Sequence, residues 1–192
     1  MHYHGEIWVP NKNGYRSQVD KALEGLTEEN NGFYDWYVIG GRWSGEHTLW
    51  LLKNKFGSRK IDRIHDEFDK KHGWWTNSEK SKELRAKQYE EVFRNHISEE
   101  EYNGIMPAWR DNYKEDGYED DILAVTDIPR KFFTCYTLVL SPRGEKWEEE
   151  RKYYHSEIWN GSIHQDTEFN PKEILEQHNI YDGFLVTVDY HN

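Results

Sequence analysis

The chain has almost no cysteine. Cys135 is the only one in 192 residues, so no internal disulfide can form. That fits a reducing, cytoplasmic setting. No apolar run approaches membrane-spanning length, and no membrane partner is expected. The N-terminal "MHYHGEIWVP" lacks a basic region followed by an apolar one, so no signal peptide is expected. Positive charge is also short: 25 Lys and Arg stand against 36 Asp and Glu, a net charge of −11. Non-specific nucleic-acid binding needs a cationic surface to displace counterions, so that class is excluded. A local pocket for one small anion is not. "GxGxxG", "GxxxxGK", "HExxH" and Cys/His ligand spacings are absent. No cofactor and no metal is therefore expected.

What the chain does have is aromatic residues. Only 35% of it is hydrophobic, yet it carries nine Trp and thirteen Tyr. Large rings must therefore close much of the core.

"HYHGEIWVP" (2–10) alternates. Tyr3, Ile7 and Val9 share one face; His2, His4, Glu6 and Trp8 share the other. That is a strand with one buried face. "SQVDKALEGL" (17–26) spaces Val19, Ala22, Leu23 and Leu26 as a helical stripe behind a Ser17 cap. "YDWYVIGGRW" reads as a second strand. "KFFTCYTLVLSP" (131–142) is a third, with Cys135 a small buried hydrophobe within it. The stretch after it turns at Pro142 to Gly144 into a hairpin arm. "NPKEILEQHN" (170–179) starts a helix at Asn170 and Pro171. "DGFLVTVDYHN" (182–192) is the last strand. Between the halves lies a charged insertion, about 46–125. Its best helix is 78–97, and "WRDNYKEDGYEDD" (109–121) is an acidic surface loop or an exposed partner face.

Two β-α-β units, about 1–45 and 126–192, predict an α+β fold in one domain spanning 1–192. The expected form is a ferredoxin-like four-stranded antiparallel sheet with two helices on one face, plus the charged helical insertion. There the last strand lies antiparallel beside the first, which brings His2 and His4 near Asp189 and His191. Three imidazoles and a carboxylate at a sheet corner suit acid–base chemistry. A frayed terminus with solvated side chains is the plainer reading.

"DWYVIGGRWSG" (35–45) gives up two side chains inside a strand-like run. Adjacent glycines mark a bulge or a close approach to the backbone. Bare N–H groups there, with the planar cation of Arg42, suit a phosphate. Trp36, Tyr37 and Trp43 offer stacking faces for a base. The ligand-binding set expected is thus Trp36, Tyr37, Gly40, Gly41, Arg42, Trp43 and Asp189. The plainer reading is a bulged edge strand with core tryptophans and Arg42 paired to a surface acid. "HGWW" (72–75) plugs the insertion onto the sheet or anchors a partner. His155 in "RKYYHSEIW" is a ligand contact or an ordinary strand residue.

"DWYVIGGRWSG" resembles the signature of a family of uncharacterised bacteriophage and prophage proteins. "HYHGEIWVP", "AVTDIP", "SPRGEKWEE" and "LVTVDYHN" are similar to further stretches of it. The likeness spans both halves and omits the insertion. It implies a phage context and the cytosol of a bacterial host, with no established activity. The matching positions are Asp35, Trp36, Tyr37, Gly40, Gly41, Arg42, Trp43, Gly45, Asp189 and His191. His4 stands where the family has an apolar residue, which leaves His2 with His191.

Three functions follow as expectations. The first is a small-ligand binding protein that sequesters a nucleotide signal of antiviral defence, with an oligomer interface as a natural pocket. The second is a phosphodiesterase or nuclease with His2 and His191 as the catalytic pair and Arg42 on the phosphate. The third is an acidic inhibitor that mimics DNA.

Overall fold

The structure is a computed structural model. It describes residues 2–30, 32–43, 45–72, 95–96, 98, 113–114, 117–118, 122–131, 133–141, 152–155, 157–160, 163–166 and 168–192. The chain divides into two compact units. One joins residues 1–43 to 122–192; the other is 44–121.

In the first unit, strand β1 is His2–Val9 and helix α1 is Tyr15–Leu23. β2 is Trp36–Ile39, β5 Ile122–Ala124, β6 Thr137–Leu140 and β7 Lys152–His155. A small hairpin of β8 (Glu157–Asn160) and β9 (Ile163–Asp166) follows, then helix α4 (Pro171–Gln177) and β10 (Phe184–His191). Six of these strands form one open sheet, ordered β2-β10-β1-β6-β7, with β5 continuing the flank of β10 beyond β2. The architecture is mixed α+β.

The first and last strands pair antiparallel along their full lengths, from His2 opposite His191 to Val9 opposite Phe184. The antiparallel pairing expected of the first and last strands therefore holds, but the single buried face expected of β1 does not: from His4 to Val9 both of its faces are buried. A register slip of one residue would set polar against apolar faces throughout, so the two eight-residue patterns lock each other.

The ferredoxin-like sheet does not form. β6 lies parallel to β1, and β10 takes the place between β1 and β2. The cause lies in the segment after β6. β7 folds back antiparallel on β6, so the chain is reversed before α4 and β10 returns antiparallel to β1. The second half is thus not a simple β-α-β crossover.

Nor do both helices share a face. α1 buries Val19, Ala22 and Leu23 against Ile7, Val9, Val139, Val186, Val188 and Tyr190. α4 reaches the other face. His178 at its end hydrogen-bonds the Tyr154 hydroxyl, and Tyr154 stands opposite Leu138, which stands opposite Glu6. The Trp8 indole on that face donates to the Asp182 carbonyl at 2.9 Å. The polar parity is therefore not an open, solvated surface.

Local signals fared unevenly. Asn170 caps α4 as expected, its side chain accepting from the Lys172 N–H at 2.9 Å beside Pro171. α1 starts two residues before Ser17, after Gly14 in the left-handed region, with no side-chain cap. The third strand is shorter than its aromatic run. Cys135 precedes it and is fully buried, paired by backbone bonds of 3.0 and 2.9 Å to Phe169.

The second unit opens with α2 (Glu46–Phe56) and α3 (Ser58–His72), joined at Gly57 with φ 91°. Lys53 of α2 pairs with Asp62 of α3 at 3.0 Å. Leu49, Trp50 and Leu52 of α2 and Ile61 and Ile64 of α3 are buried. β3 (Tyr113–Lys114) and β4 (Gly117–Tyr118) form a minimal hairpin within the expected acidic loop. The expected helix at 78–97 and Trp74 and Trp75 fall, apart from 95–96, outside the described residues.

Candidate functional site

The site grows from the register. Directly opposed residues of paired strands share a face. His2 and His191, His4 and Asp189, and Glu6 and Thr187 therefore line one face as three rungs. On the other side of β10, Trp36 stands opposite His191 and Val38 opposite Asp189.

Each terminal imidazole is held by a carboxylate. His2 Nδ1 lies 2.9 Å from Asp189 Oδ1, and His191 Nδ1 lies 2.9 Å from Asp35 Oδ2. The two rings meet edge to face, with centroids 5.4 Å apart. Trp36 stacks on His191 at 5.5 Å and 5°, and stands at 78° to His2 with centroids 5.2 Å apart. Two imidazoles and an indole thus form one aromatic corner.

The two dyads sit in different surroundings. Asp189 is nearly buried, and its second oxygen accepts the Arg42 backbone N–H at 3.0 Å. Asp35 is exposed and sits beside Glu28. The hydrogen bonds to His191 and then to Glu28 hold the Asp35 carboxyl below its ordinary value. The same contact with Asp35 raises that of Glu28.

The glycine pair is explained by Asp189. Gly40 and Gly41 have φ of 75° and 60°, which L side chains rarely adopt. They turn the chain sharply off β2 into a short 3-10 turn, Gly41–Trp43. A Cβ on Gly41 would lie 2.5 Å from Asp189 Cβ. The backbone passes directly over the carboxylate, and Arg42 N–H is delivered to it.

This corrects the expected anion cradle. Gly40 N–H donates to Thr187 O at 2.8 Å, Arg42 N–H to Asp189, and Trp43 N–H to Gly40 O at 3.2 Å. These groups serve the protein's own acceptors. What remains for an anion is the exposed Arg42 guanidinium, which has no ion-pair partner among the described residues.

The other aromatics of the motif separate. Tyr37 faces the α1 side, where its hydroxyl donates to Asp20 at 2.5 Å. It is no part of the site. Trp43 lies flat on His4 at 5.1 Å and 16°, with its Nε1 buried and without a hydrogen-bond partner among the described residues. His4 in turn meets Glu6 at 2.7 Å, and Thr187 donates to the same Glu6 oxygen at 2.9 Å. All three are buried. The expected three-histidine site thus divides: His2 and His191 at the corner, His4 in a buried polar core beneath Trp43.

Sequence reasoning gave Asp35 no chemical role and left Glu6 at the margin. Both were reachable. Asp35 precedes the strand that must lie beside His191 once β10 is central, and Glu6 follows His4 on one parity. The side chain of His155 lies outside the described ones. Among the described residues, no group of three or more His, Cys, Asp or Glu is placed to hold a metal ion, and no helix is long and apolar enough to cross a membrane.

The fold and the corner define an α+β protein with two carboxylate-held histidines at the end of an open mixed sheet. No family model, curated protein or solved structure matches the chain.

Proposed function

We propose that this corner binds a small phosphorylated ligand of the nucleotide class, and that His2 and His191 act on it as base and acid: a phosphodiesterase. The carrying observation is the paired dyads, two imidazoles with centroids 5.4 Å apart, each fixed at Nδ1 by its own carboxylate. Holding Nδ1 sets tautomer and ring orientation and turns Nε2 away from the carboxylate. One neutral ring takes the proton of an attacking hydroxyl as the new P–O bond forms. The other, protonated, gives its proton to the oxygen of the P–O bond that breaks. Arg42 supplies charge for the phosphoryl oxygens.

Sequestration without turnover is the second reading. It is favoured by the exposed Trp36 and the exposed Arg42 cation, which has no ion-pair partner among the described residues; together they suffice for capture. In the phage setting that "DWYVIGGRWSG" implies, either action would remove a nucleotide signal of host defence.

The test incubates excess protein with a panel of cyclic and linear nucleotides and resolves the mixture by chromatography. New products that disappear in the His2→Asn/His191→Asn variant support the phosphodiesterase. Ligand that binds and is recovered intact replaces it with sequestration. Absence of binding across the panel removes both.

A further inference from the structure

We propose that Trp36 and Val38 form the platform on which the planar ring of the ligand, a nucleobase, stacks. This rests on the phosphoryl-site reading above and names the other half of its ligand.

Three aromatics of the motif were candidates for that contact, and the geometry leaves one. Tyr37 is turned to the opposite face and tied to Asp20. Trp43 is laid on His4 with its indole nitrogen buried. Trp36 is 43% exposed, and Val38, two residues on and on the same face, is 47% exposed. Large apolar side chains left this open are few among the described residues, and here two adjoin on one strand.

Their position links them to the dyads. Trp36 stands opposite His191, and Val38 opposite Asp189. The indole is stacked with His191 and perpendicular to His2, so the ring is braced from within the site. The indole nevertheless stays 43% exposed. β2 flanks β10 at the margin of the sheet, with no strand beyond it among the described residues. A flat ring can therefore lie against Trp36 and over Val38 while its phosphate lies at the two imidazoles. The strip carries no charge to recognise a peptide or a polar sugar. A braced indole favours a planar π-system, which stacks with little selectivity among bases.

The experiment titrates a nucleoside 5′-monophosphate, ribose 5-phosphate and inorganic phosphate calorimetrically into wild type, Trp36→Leu and Trp36→Phe. Wild type should favour the nucleotide over ribose 5-phosphate by about tenfold or more. Trp36→Leu should erase that preference and leave ribose 5-phosphate affinity within about twofold, and Trp36→Phe should keep most of it. Equal wild-type affinity for nucleotide and sugar phosphate, or an intact preference in Trp36→Leu, overturns the platform and spares the phosphoryl site. If none of the three probes binds wild type, the phosphoryl-site reading falls, and the platform with it.

Discussion

Gly41 passes over Asp189 so closely that a methyl group on it would lie 2.5 Å from the Asp189 Cβ. The contact joins two stretches far apart in the chain and sets the height of the turn that carries Arg42. Gly41→Ala should therefore destabilise by more than the roughly 1–2 kcal/mol that a left-handed backbone costs an L-residue. Gly25→Ala is the control, since Gly25 has φ 74° and a methyl added there would meet nothing within 4 Å. Urea unfolding of the pair should place Gly41→Ala well below Gly25→Ala. Equal losses would mean that the turn yields and the close approach constrains nothing.

Glu6 is fully buried and accepts from Thr187 while meeting His4. Glu6→Ala removes the acceptor that both share and opens a cavity in a polar core. A loss of about 3–5 kcal/mol is expected. Glu6→Gln retains an oxygen acceptor and should lose less. The measurement is again the denaturation midpoint. A Glu6→Ala protein within about 0.5 kcal/mol of wild type would show that the cluster contributes nothing to stability.

Tyr37 gives the fold an alkaline limit. Burial, and then the hydrogen bond to Asp20, pushes its hydroxyl well above the ordinary 10.0. A raised value means that the folded state holds its proton more tightly than the unfolded chain does. The stabilisation is complete below pH 10 and is lost as pH rises through the raised value. Wild type should lose stability steeply above about pH 10, and Tyr37→Phe should lose less over the same interval. Equal slopes for the two proteins would place the alkaline transition elsewhere.

Sequence legibility followed the length of the pattern. β1 and β10 alternate over eight residues each, so which residues share a face could be read from parity; their antiparallel pairing and the His2–His191 corner followed from the ferredoxin-like topology and hold although that sheet does not form. Asn170 and Pro171 named a helix start because capping is local chemistry. The sheet order could not be read. The hairpin arm after the third strand was expected, and β7 does fold back on β6; what no local signal carried is that β6 lies parallel to β1, with β10 between β1 and β2. The Gly-Gly pair was legible as a close approach, but the approaching group was not. An anion was expected where the chain supplies its own carboxylate from a strand 147 residues away.

The same carboxylate offers the sharpest test of the site. Asp189 holds His2 Nδ1 with one oxygen and the Arg42 N–H with the other. Asp189→Asn changes only one atom. Its amide oxygen can still accept from Arg42, so the Gly40–Trp43 turn should survive. Its amide nitrogen then faces His2 Nδ1 and can only donate. That fixes the proton on Nε2, the tautomer opposite to the one the carboxylate imposes. If His2 is the base, turnover should fall on the order of a hundredfold or more while ligand affinity stays within a few-fold. The circular dichroism spectrum and unfolding midpoint should remain close to wild type. Asp35→Asn makes the comparison at the exposed dyad, where the same exchange acts on the acid, His191. A large loss of affinity with Asp189→Asn, and unchanged turnover of what still binds, would make Asp189 a scaffold for the Arg42 turn and remove His2 from the chemistry.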